Sequence, residues 1–219
     1  MKTLKDVILE KLEINEKLII NKNIKFKKYK YHPEDKDELK NLIKELIFDR
    51  GTDADLNDID TSKITDMSYL FGQNNDQSDK CWEFNGDISK WDVKNVKNMK
   101  GMFNLSNFTG ENGDLSNWDV SNVEDMSYMF NYYEGGDKIK ISNWDVSNVT
   151  NMCRMFSGSN FKCDISNWDV KNVRNIESIF QDSKFNGNLD NWNIKKNIRR
   201  KDVFTNCPLE KNPPKWYKK

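Results

Sequence analysis

The segment GDLSNWDVSNVEDMSYMF, residues 113–130, decides the fold of this chain because its pattern occurs in five further copies. In five of the six copies a phenylalanine stands twelve residues after a tryptophan. The other copy has Ile59 in the tryptophan place and Phe71 twelve residues later. Successive tryptophans are 24 to 27 residues apart, so the inside of the unit is constant while the connections vary, as in a repeat array with inserted loops. The tryptophan–phenylalanine pairs are Trp91/Phe103, Trp118/Phe130, Trp144/Phe156, Trp168/Phe180 and Trp192/Phe204.

The apolar residues of the quoted copy change their spacing halfway along it. Trp118 and Val120 are two residues apart, which predicts that they face the same way on a short strand. The apolar residues from Val123 to Phe130 follow at spacings of three, three and one, which predicts one face of a two-turn helix. The Ser-Asn pair between them suits a helix cap. Each unit is therefore predicted to be strand, tight turn, short helix and loop, with the tryptophans stacked in the core.

The segments on either side of the repeats are predicted to cap them. We assign residues 1–55 to an N-terminal cap, residues 56–206 to the repeats and residues 207–219 to a basic C-terminal tail. In the cap we expect a short helix at residues 2–13, one or two strands at residues 18–31, and an amphipathic helix between Pro33 and Gly51. Caps are needed because a repeat array otherwise exposes an apolar end.

Charge is unevenly spread although the net charge of the chain is zero. Residues 56–193 carry 13 basic and 21 acidic side chains, whereas residues 194–219 carry 9 basic and 2 acidic ones. The acidic body argues against nucleic acid as a partner, because phosphate contacts need clustered Lys and Arg. We interpret the basic tail as a solvated capping segment, with contact to an anionic surface or RNA as the alternative.

The sequence offers no recognisable catalytic or metal-binding set. Cys81, Cys153, Cys163 and Cys207 form no CxxC pair, and His32 completes no Cys/His spacing. We therefore expect free thiols, no metal, no cofactor and no enzyme activity. The alternative is an enzyme whose site lies in residues 1–55.

The N-terminus has acidic residues where the apolar core of a signal peptide would lie, and no stretch approaches 18 apolar residues. We expect no membrane span, and a cytoplasmic location if the chain is full length.

Two polar columns follow the tryptophans. The acidic residues directly after them are Asp92, Asp119, Asp145 and Asp169, with Asp60 in the first copy. We interpret them as Asx turns that accept backbone N–H groups, with a cation or a basic partner as the alternative ligand. The asparagines at the following turn are predicted to form a ladder that bonds backbone groups: Asn95, Asn122, Asn148 and Asn172.

The residues that do not repeat are the better candidates for recognition, because loops carry function more often than array turns. Trp82 lies in the long insertion between Phe71 and Trp91, and Tyr132 and Tyr133 lie in the loop NYYEGGDK. The polar places beside the tryptophans are candidates as well, namely Asn117, Asn143 and Asn167 together with the Asp column. We predict that a partner contacts these residues.

The phrases ISNWDVSNVTNMCRMF (141–156) and DISNWDVKNV (164–173) resemble a repeat of about 25 residues in BspA-like leucine-rich-repeat surface proteins and mycoplasma-type lipoproteins of bacteria. The resemblance covers residues 56–206. It implies an α/β fold, a leucine-rich-repeat-like solenoid of six strand–turn–short helix units with an N-terminal strand-helix cap. It also implies a cell-surface location and a role in adhesion.

These patterns predict a non-enzymatic binding scaffold, because repeat arrays usually bind other molecules. We expect a monomer with a protein partner. The alternative is an adhesin that binds a glycan or a host molecule.

Overall fold

A computed structural model of the chain describes residues 29–73 and 79–217. The chain divides into two compact units, Met1–Lys30 and Tyr31–Lys219, and all six copies belong to the second. The helical elements of the described residues are helix α1, Lys36–Arg50, and three 3-10 helices at Cys81–Glu83, Leu115–Asn117 and Pro208–Glu210. The remainder consists of turns, bends and isolated parallel bridges.

The six copies stack in chain order. A line of parallel bridges joins one residue of each copy to its equivalent in the next: Asp66, Asn98, Asp125, Asn151, Asn175 and Arg199. Alternate backbone N–H groups of one copy donate to carbonyls of the next, as Ser178 does to Lys201 at 2.9 Å and Phe180 to Val203 at 3.1 Å. Each copy therefore depends on its neighbour for these backbone hydrogen bonds.

The predicted leucine-rich-repeat-like solenoid of strand–turn–short helix units is wrong. No copy in the described residues contains a strand longer than an isolated bridge, and the segment predicted as a two-turn helix contains turns instead. The residue two places before each phenylalanine has a positive φ in all six copies, for example Tyr69 at 53° and Tyr128 at 59°. A left-handed residue cannot continue a right-handed helix, so the spacing of three reflects turns and not helical periodicity. The residues at this place are Tyr69, Gly101, Tyr128, Arg154, Ser178 and Asp202.

Around the tryptophans, the copies are joined by hydrogen bonds from side chains, where a sheet would have hydrogen bonds between backbone groups. Each indole N–H donates to a carbonyl of the preceding copy, as Trp144 does to Leu115 at 2.9 Å and Trp168 to Ile141 at 3.1 Å. The Trp118 and Trp144 rings stack with centroids 6.4 Å apart. The five repeat tryptophans are at most 4% exposed, which confirms that the tryptophan column is core.

Two further columns of aromatic rings fill the interior. The phenylalanines that end the copies stack from Phe71 to Phe204, with successive centroids 5.6 to 5.9 Å apart. A second aromatic residue packs on this column five residues later in three copies, at Phe108, Phe161 and Phe185. These rings lie in one continuous core with the tryptophans and the aliphatic residues beside them.

Helix α1 closes the first copy, and its prediction is confirmed. Asp35 accepts the N–H groups of Asp37 and Glu38 at 2.9 and 3.0 Å, and Gly51, at φ 89°, ends the helix. The buried face presents Leu39, Ile43 and Leu46 to the core, since residues at i, i+4 and i+7 share one side. The predicted helix at residues 2–13 and most of the predicted strand region lie outside the described residues; Tyr31 makes an isolated bridge with Ile59.

Lys40 of α1 closes the carbonyl end of the stack. Its ammonium donates to the carbonyls of Tyr69, at 3.1 Å, and Leu70, and pairs with buried Asp79 at 2.9 Å. Burial raises the pKa of Asp79, but the hydrogen bonds from Lys40 and the Cys81 N–H outweigh it, so the pKa of this carboxyl is lowered. The carboxylate thus stays charged beside the ammonium that bonds the first copy.

We expect Trp144→Ala to lower the free energy of unfolding by about 3–5 kcal/mol, because it opens a cavity and removes the bond to Leu115. Urea denaturation checks this value. Asn167→Ala is the control, since Asn167 is exposed and should change stability by less than about 0.5 kcal/mol. A loss below about 1 kcal/mol for Trp144→Ala would contradict the stacked core.

A second prediction concerns the residue with positive φ that stands two places before each phenylalanine. Gly101 has φ 59°, and a Cβ there would lie 2.4 Å from the Tyr69 ring, whereas a Cβ at Gly136, φ 66°, would meet nothing within 4 Å. Both alanine variants carry the left-handed cost of roughly 1–2 kcal/mol, but only Gly101→Ala must also displace a ring. Denaturation should show the larger loss for Gly101→Ala, and adding Tyr69→Ala should recover part of the difference. Equal losses in the two variants would contradict the packing of Tyr69 on Gly101.

Candidate binding surfaces

The aspartates after the tryptophans form Asx turns, which confirms their structural interpretation. The Oδ1 atom of each accepts the backbone N–H two residues later, at 3.0 Å in Asp145 and 3.1 Å in Asp92. The same bond is made by Asp60, Asp119 and Asp169. These carboxylates thus fix the turn that leaves the tryptophan segment, although their side chains are largely exposed.

The predicted asparagine ladder is confirmed too. Asn122 Nδ2 donates to the Lys94 carbonyl at 2.8 Å, and Asn148 Nδ2 donates to the Ser121 carbonyl at 2.7 Å, each reaching the preceding copy. Asn95 and Asn172 make the equivalent bonds. A second line of Asx turns, which was not predicted, runs along the bridge column, where Asp125 accepts the Ser127 N–H at 2.7 Å. Its signal was the Asp or Asn directly before the second apolar residue of the supposed helix, as Asp125 stands before Met126.

The predicted polar residues lie on one exposed surface, which we call the polar face. It presents Asn117, Asn143 and Asn167 next to Asp119, Asp145 and Asp169, with Asp92 in the second copy. Asn143 Nδ2 is engaged by the Ser116 carbonyl of the preceding copy at 2.8 Å. Hydrogen bonds from Ser121 lower the pKa of Asp119, and hydrogen bonding from Lys171 lowers that of Asp169. Much of the hydrogen-bonding capacity of this face therefore serves the fold.

The three aromatic residues predicted for recognition have different environments. Trp82 lies in the 3-10 helix Cys81–Glu83 and is half-buried, while its carbonyl accepts the Asn107 N–H at 2.8 Å. Tyr132 is 52% exposed. Tyr133 is buried in the core, where its hydroxyl donates to the Thr109 carbonyl at 2.7 Å.

A local exchange explains why Tyr133 is buried. Five residues after Phe130, where other copies carry the second phenylalanine, this copy has Gly135. The Tyr133 ring takes that volume, since a Cβ at Gly135 would lie 2.0 Å from the Tyr133 Oη. Tyr133 therefore packs edge-on against Phe130, with centroids 5.6 Å apart, and only Tyr132 of the pair is available to a partner.

A group of aromatic and apolar side chains lies along the outside of the turns, and we call it the tyrosine strip: Tyr69, Leu105, Tyr128 and Tyr132. Leu105 and Tyr132 occupy equivalent left-handed places in adjacent copies, with φ 51° and 54°. They are 41% and 52% exposed, and among the described residues only Phe48 joins them as an exposed large hydrophobic side chain. Of the four residues, only Tyr132 was predicted as a candidate for recognition, because the others fell inside or beside a predicted helix.

The backbone holds the strip in place. Leu105 N–H donates to the Asn131 carbonyl at 3.0 Å, and Tyr132 N–H donates to the Ser157 carbonyl at 2.8 Å, so both residues are bonded into the stack. The Tyr132 ring lies over Gly158, whose added Cβ would come within 2.7 Å of it. Two exposed apolar side chains are thus displayed from a backbone whose conformation the neighbouring copies determine.

Other chemistry is sparse in the described residues. They contain no group of three or more His, Cys, Asp and Glu side chains arranged to hold a metal ion. The four cysteines are free thiols, as predicted. His32 Nδ1 lies 3.2 Å from Asp60 Oδ2, and Asp35 and Glu38 bond the N-terminal turn of α1. Among the helices that the structure describes, none has the length and apolarity needed to cross a membrane.

These features define a class of protein, a stack of turn units that lies behind a polar face and an apolar strip. The chain belongs to the family described as Mycoplasma protein of unknown function, DUF285, whose model matches residues 40–137 and 104–216. The two matches overlap, as expected when one repeated pattern aligns in two positions. No curated protein and no solved structure matches this sequence.

The Asx turns predict how acid affects stability. The hydrogen bonds from Ser121 hold the pKa of Asp119 below its ordinary value of 3.8, so its contribution is present above that value and is lost as pH falls through the folded-state pKa. In Ser121→Ala the pKa of Asp119 should rise towards 3.8, because the largest cause of the shift is removed. A carboxyl NMR titration measures it.

Ser147→Ala is the matched control, since the backbone N–H that bonds Asp145 is kept in alanine and Asp119 is untouched. Acid denaturation of Ser121→Ala should also cost less stability than that of the wild type below about pH 4. An Asp119 pKa that is equal in the wild type and in Ser121→Ala would contradict the role given to the serine.

Proposed function

We propose that this protein is a non-enzymatic scaffold that binds a protein partner on the tyrosine strip. The observation that carries the proposal is the exposure of Leu105 and Tyr132, side by side, at left-handed positions. A left-handed backbone costs roughly 1–2 kcal/mol for a residue with a side chain. Glycine stands at the equivalent place of the next copy, as Gly158. The Tyr132 ring packs against Gly158, yet Tyr132 remains 52% exposed and Leu105 41% exposed at these costly places, and this exposure supports a binding role.

The surroundings of the strip suit a protein interface. Arg154 follows Tyr128 in one left-handed column, and Asp182 follows Tyr132 and Gly158 in the other, and both are exposed. An apolar centre beside charged side chains is the usual arrangement of such interfaces. Aromatic residues held by a rigid backbone lose little conformational entropy on binding, which favours affinity.

The test replaces the two exposed side chains without disturbing the backbone. Asparagine tolerates the left-handed region, so Leu105→Asn/Tyr132→Asn should keep the fold and its thermal midpoint. We expect the affinity for the protein that wild-type bait captures to fall at least tenfold, because two apolar anchors are lost. Capture with immobilised bait identifies this protein, and calorimetry with its purified form measures the affinity.

The matched control is Arg154→Asn/Asp182→Asn, which places the same residue at exposed left-handed positions and leaves the net charge unchanged. The control should lose less than about threefold in affinity, because exposed charges beside an apolar centre contribute little. Equal affinity of the wild type and the Leu105/Tyr132 variant for every captured protein would refute the strip as the binding surface.

A glycan is the second candidate ligand, because the rings of Tyr69 and Tyr132 pack against Gly101 and Gly158 at the surface, where a sugar could stack on them. Treating the captured partner with glycosidases separates the two: binding that survives favours protein contacts. The closer relation to BspA-like surface proteins belongs to this proposal as well. Protease shaving of intact cells tests the surface location that it implies.

A further inference from the structure

The last copy ends the stack with donors that lack acceptors. In the fifth copy, the N–H groups of Ile176, Ser178, Phe180 and Asp182 donate to carbonyls of the sixth at 2.8 to 3.1 Å. The equivalent groups of the sixth copy belong to Arg200, Asp202, Phe204 and Asn206. Asn206 N–H donates to Glu210 Oε2 at 3.0 Å, whereas the other three have no acceptor among the described residues. We call the N–H groups of Arg200, Asp202 and Phe204 the C-terminal edge.

The rest of this end is closed by the tail. Trp216 Nε1 donates to the Leu189 carbonyl at 2.7 Å, and its ring stacks on Trp192 with centroids 6.3 Å apart, as the tryptophan of a further copy would do. Tyr217 packs edge-on against Phe204 at 5.0 Å. The tail therefore supplies the aromatic rings of a further copy, but its backbone does not bond the C-terminal edge.

At the opposite end of the stack, a charged side chain bonds one of the backbone groups that have no neighbouring copy. There the Leu70 carbonyl accepts a hydrogen bond from the Lys40 ammonium. In the second copy, the equivalent carbonyl accepts a backbone N–H of the first copy. The Lys40 ammonium thus meets one carbonyl at the acceptor end of the stack, while three N–H groups of the donor end have no acceptor among the described residues. Unpaired backbone groups at an edge are the template on which another polypeptide adds.

The basic side chains around the C-terminal edge favour an acidic polypeptide as its ligand. Residues 194–217 carry seven basic and two acidic side chains, and Lys195, Lys196, Arg199 and Lys201 are exposed. Positive side chains beside three N–H donors favour a segment that carries carboxylates as well as backbone carbonyls.

We propose that the C-terminal edge binds an extended acidic polypeptide segment, which adds to the stack as a further turn. Three alternate carbonyls of the segment accept the N–H groups of Arg200, Asp202 and Phe204. Its inward side chains are small, because Trp216 and Tyr217 already occupy the aromatic places. This site is separate from the tyrosine strip and does not depend on it.

The probe is an acetylated and amidated peptide with the sequence of residues 124–134 and alanine at the inward positions Met126, Met129 and Phe130. Its segment bonds the preceding copy through alternate carbonyls in the native stack, and it contains three acidic residues. In full-length protein, NMR should show that saturating peptide shifts the amide signals of the C-terminal edge and slows their hydrogen exchange at least tenfold. The amides of Ser178 and Phe180, which are already bonded, should change little. A peptide of the same composition in scrambled order tests whether composition alone is sufficient for binding.

Lys196→Glu/Lys201→Glu should weaken peptide binding at least tenfold, because it reverses two exposed charges at the edge. Lys90→Glu/Lys140→Glu makes the same charge change in other copies and should bind as the wild type does. The proposal is overturned if the peptide fails to bind at millimolar concentration, if binding leaves the edge amides unprotected, or if the scrambled peptide protects them equally. Stronger protection by decauridylate or by phosphatidylserine vesicles would overturn it in favour of nucleic acid or membrane.

Discussion

Hydrogen bonds from each turn to the next hold this protein together, because the turn bonds within a copy leave its alternate N–H and C=O groups to its neighbours. Ser178 and Phe180 donate to the backbone of the following copy, and the Trp192 indole donates back to the Ile165 carbonyl of the preceding one. A buried polar group without a partner costs free energy, so a copy is stable only between neighbours. The same requirement explains the ends: Lys40 is needed where carbonyls are left over, and Trp216 is needed where the indole column would otherwise stop.

The division between inside and outside follows from this arrangement. Phenylalanine and other apolar side chains, mostly tryptophan, methionine and isoleucine, fill the core of the copies, and the Asp and Asn side chains that alternate with them are occupied with turns and ladders. Asp145 illustrates the point, since it is exposed and acidic yet accepts the N–H group that fixes the next turn. Regular exposed charge is therefore weak evidence for a ligand here. Irregular features, such as Leu105 and Tyr132 at strained exposed places, are stronger evidence.

The direction of the stack gives the two ends opposite chemistry. The first copy presents carbonyl groups and is covered by α1, whereas the last presents N–H groups in a basic environment. The tyrosine strip lies along the side of the stack and involves the first three copies. The two proposed binding sites thus use different physical principles: apolar burial on the side, and backbone hydrogen bonding with charge at the end.

The sequence by itself determined the repeat, its six copies, the buried tryptophan column, helix α1, the Asx turns and the asparagine ladder, because each of these depends on residues at fixed local spacings. It did not determine the fold class. A spacing of three at Val123, Met126 and Met129 suits a helix as well as successive turns, and only the left-handed Tyr128, bonded to the Cys153 carbonyl of the next copy, selects the turns. Likewise Tyr132 and Tyr133 are equivalent in sequence, and the volume left by Gly135 decides which of them is buried. Contacts between copies made these choices, since they join residues about 25 positions apart whose pairing no local pattern specifies.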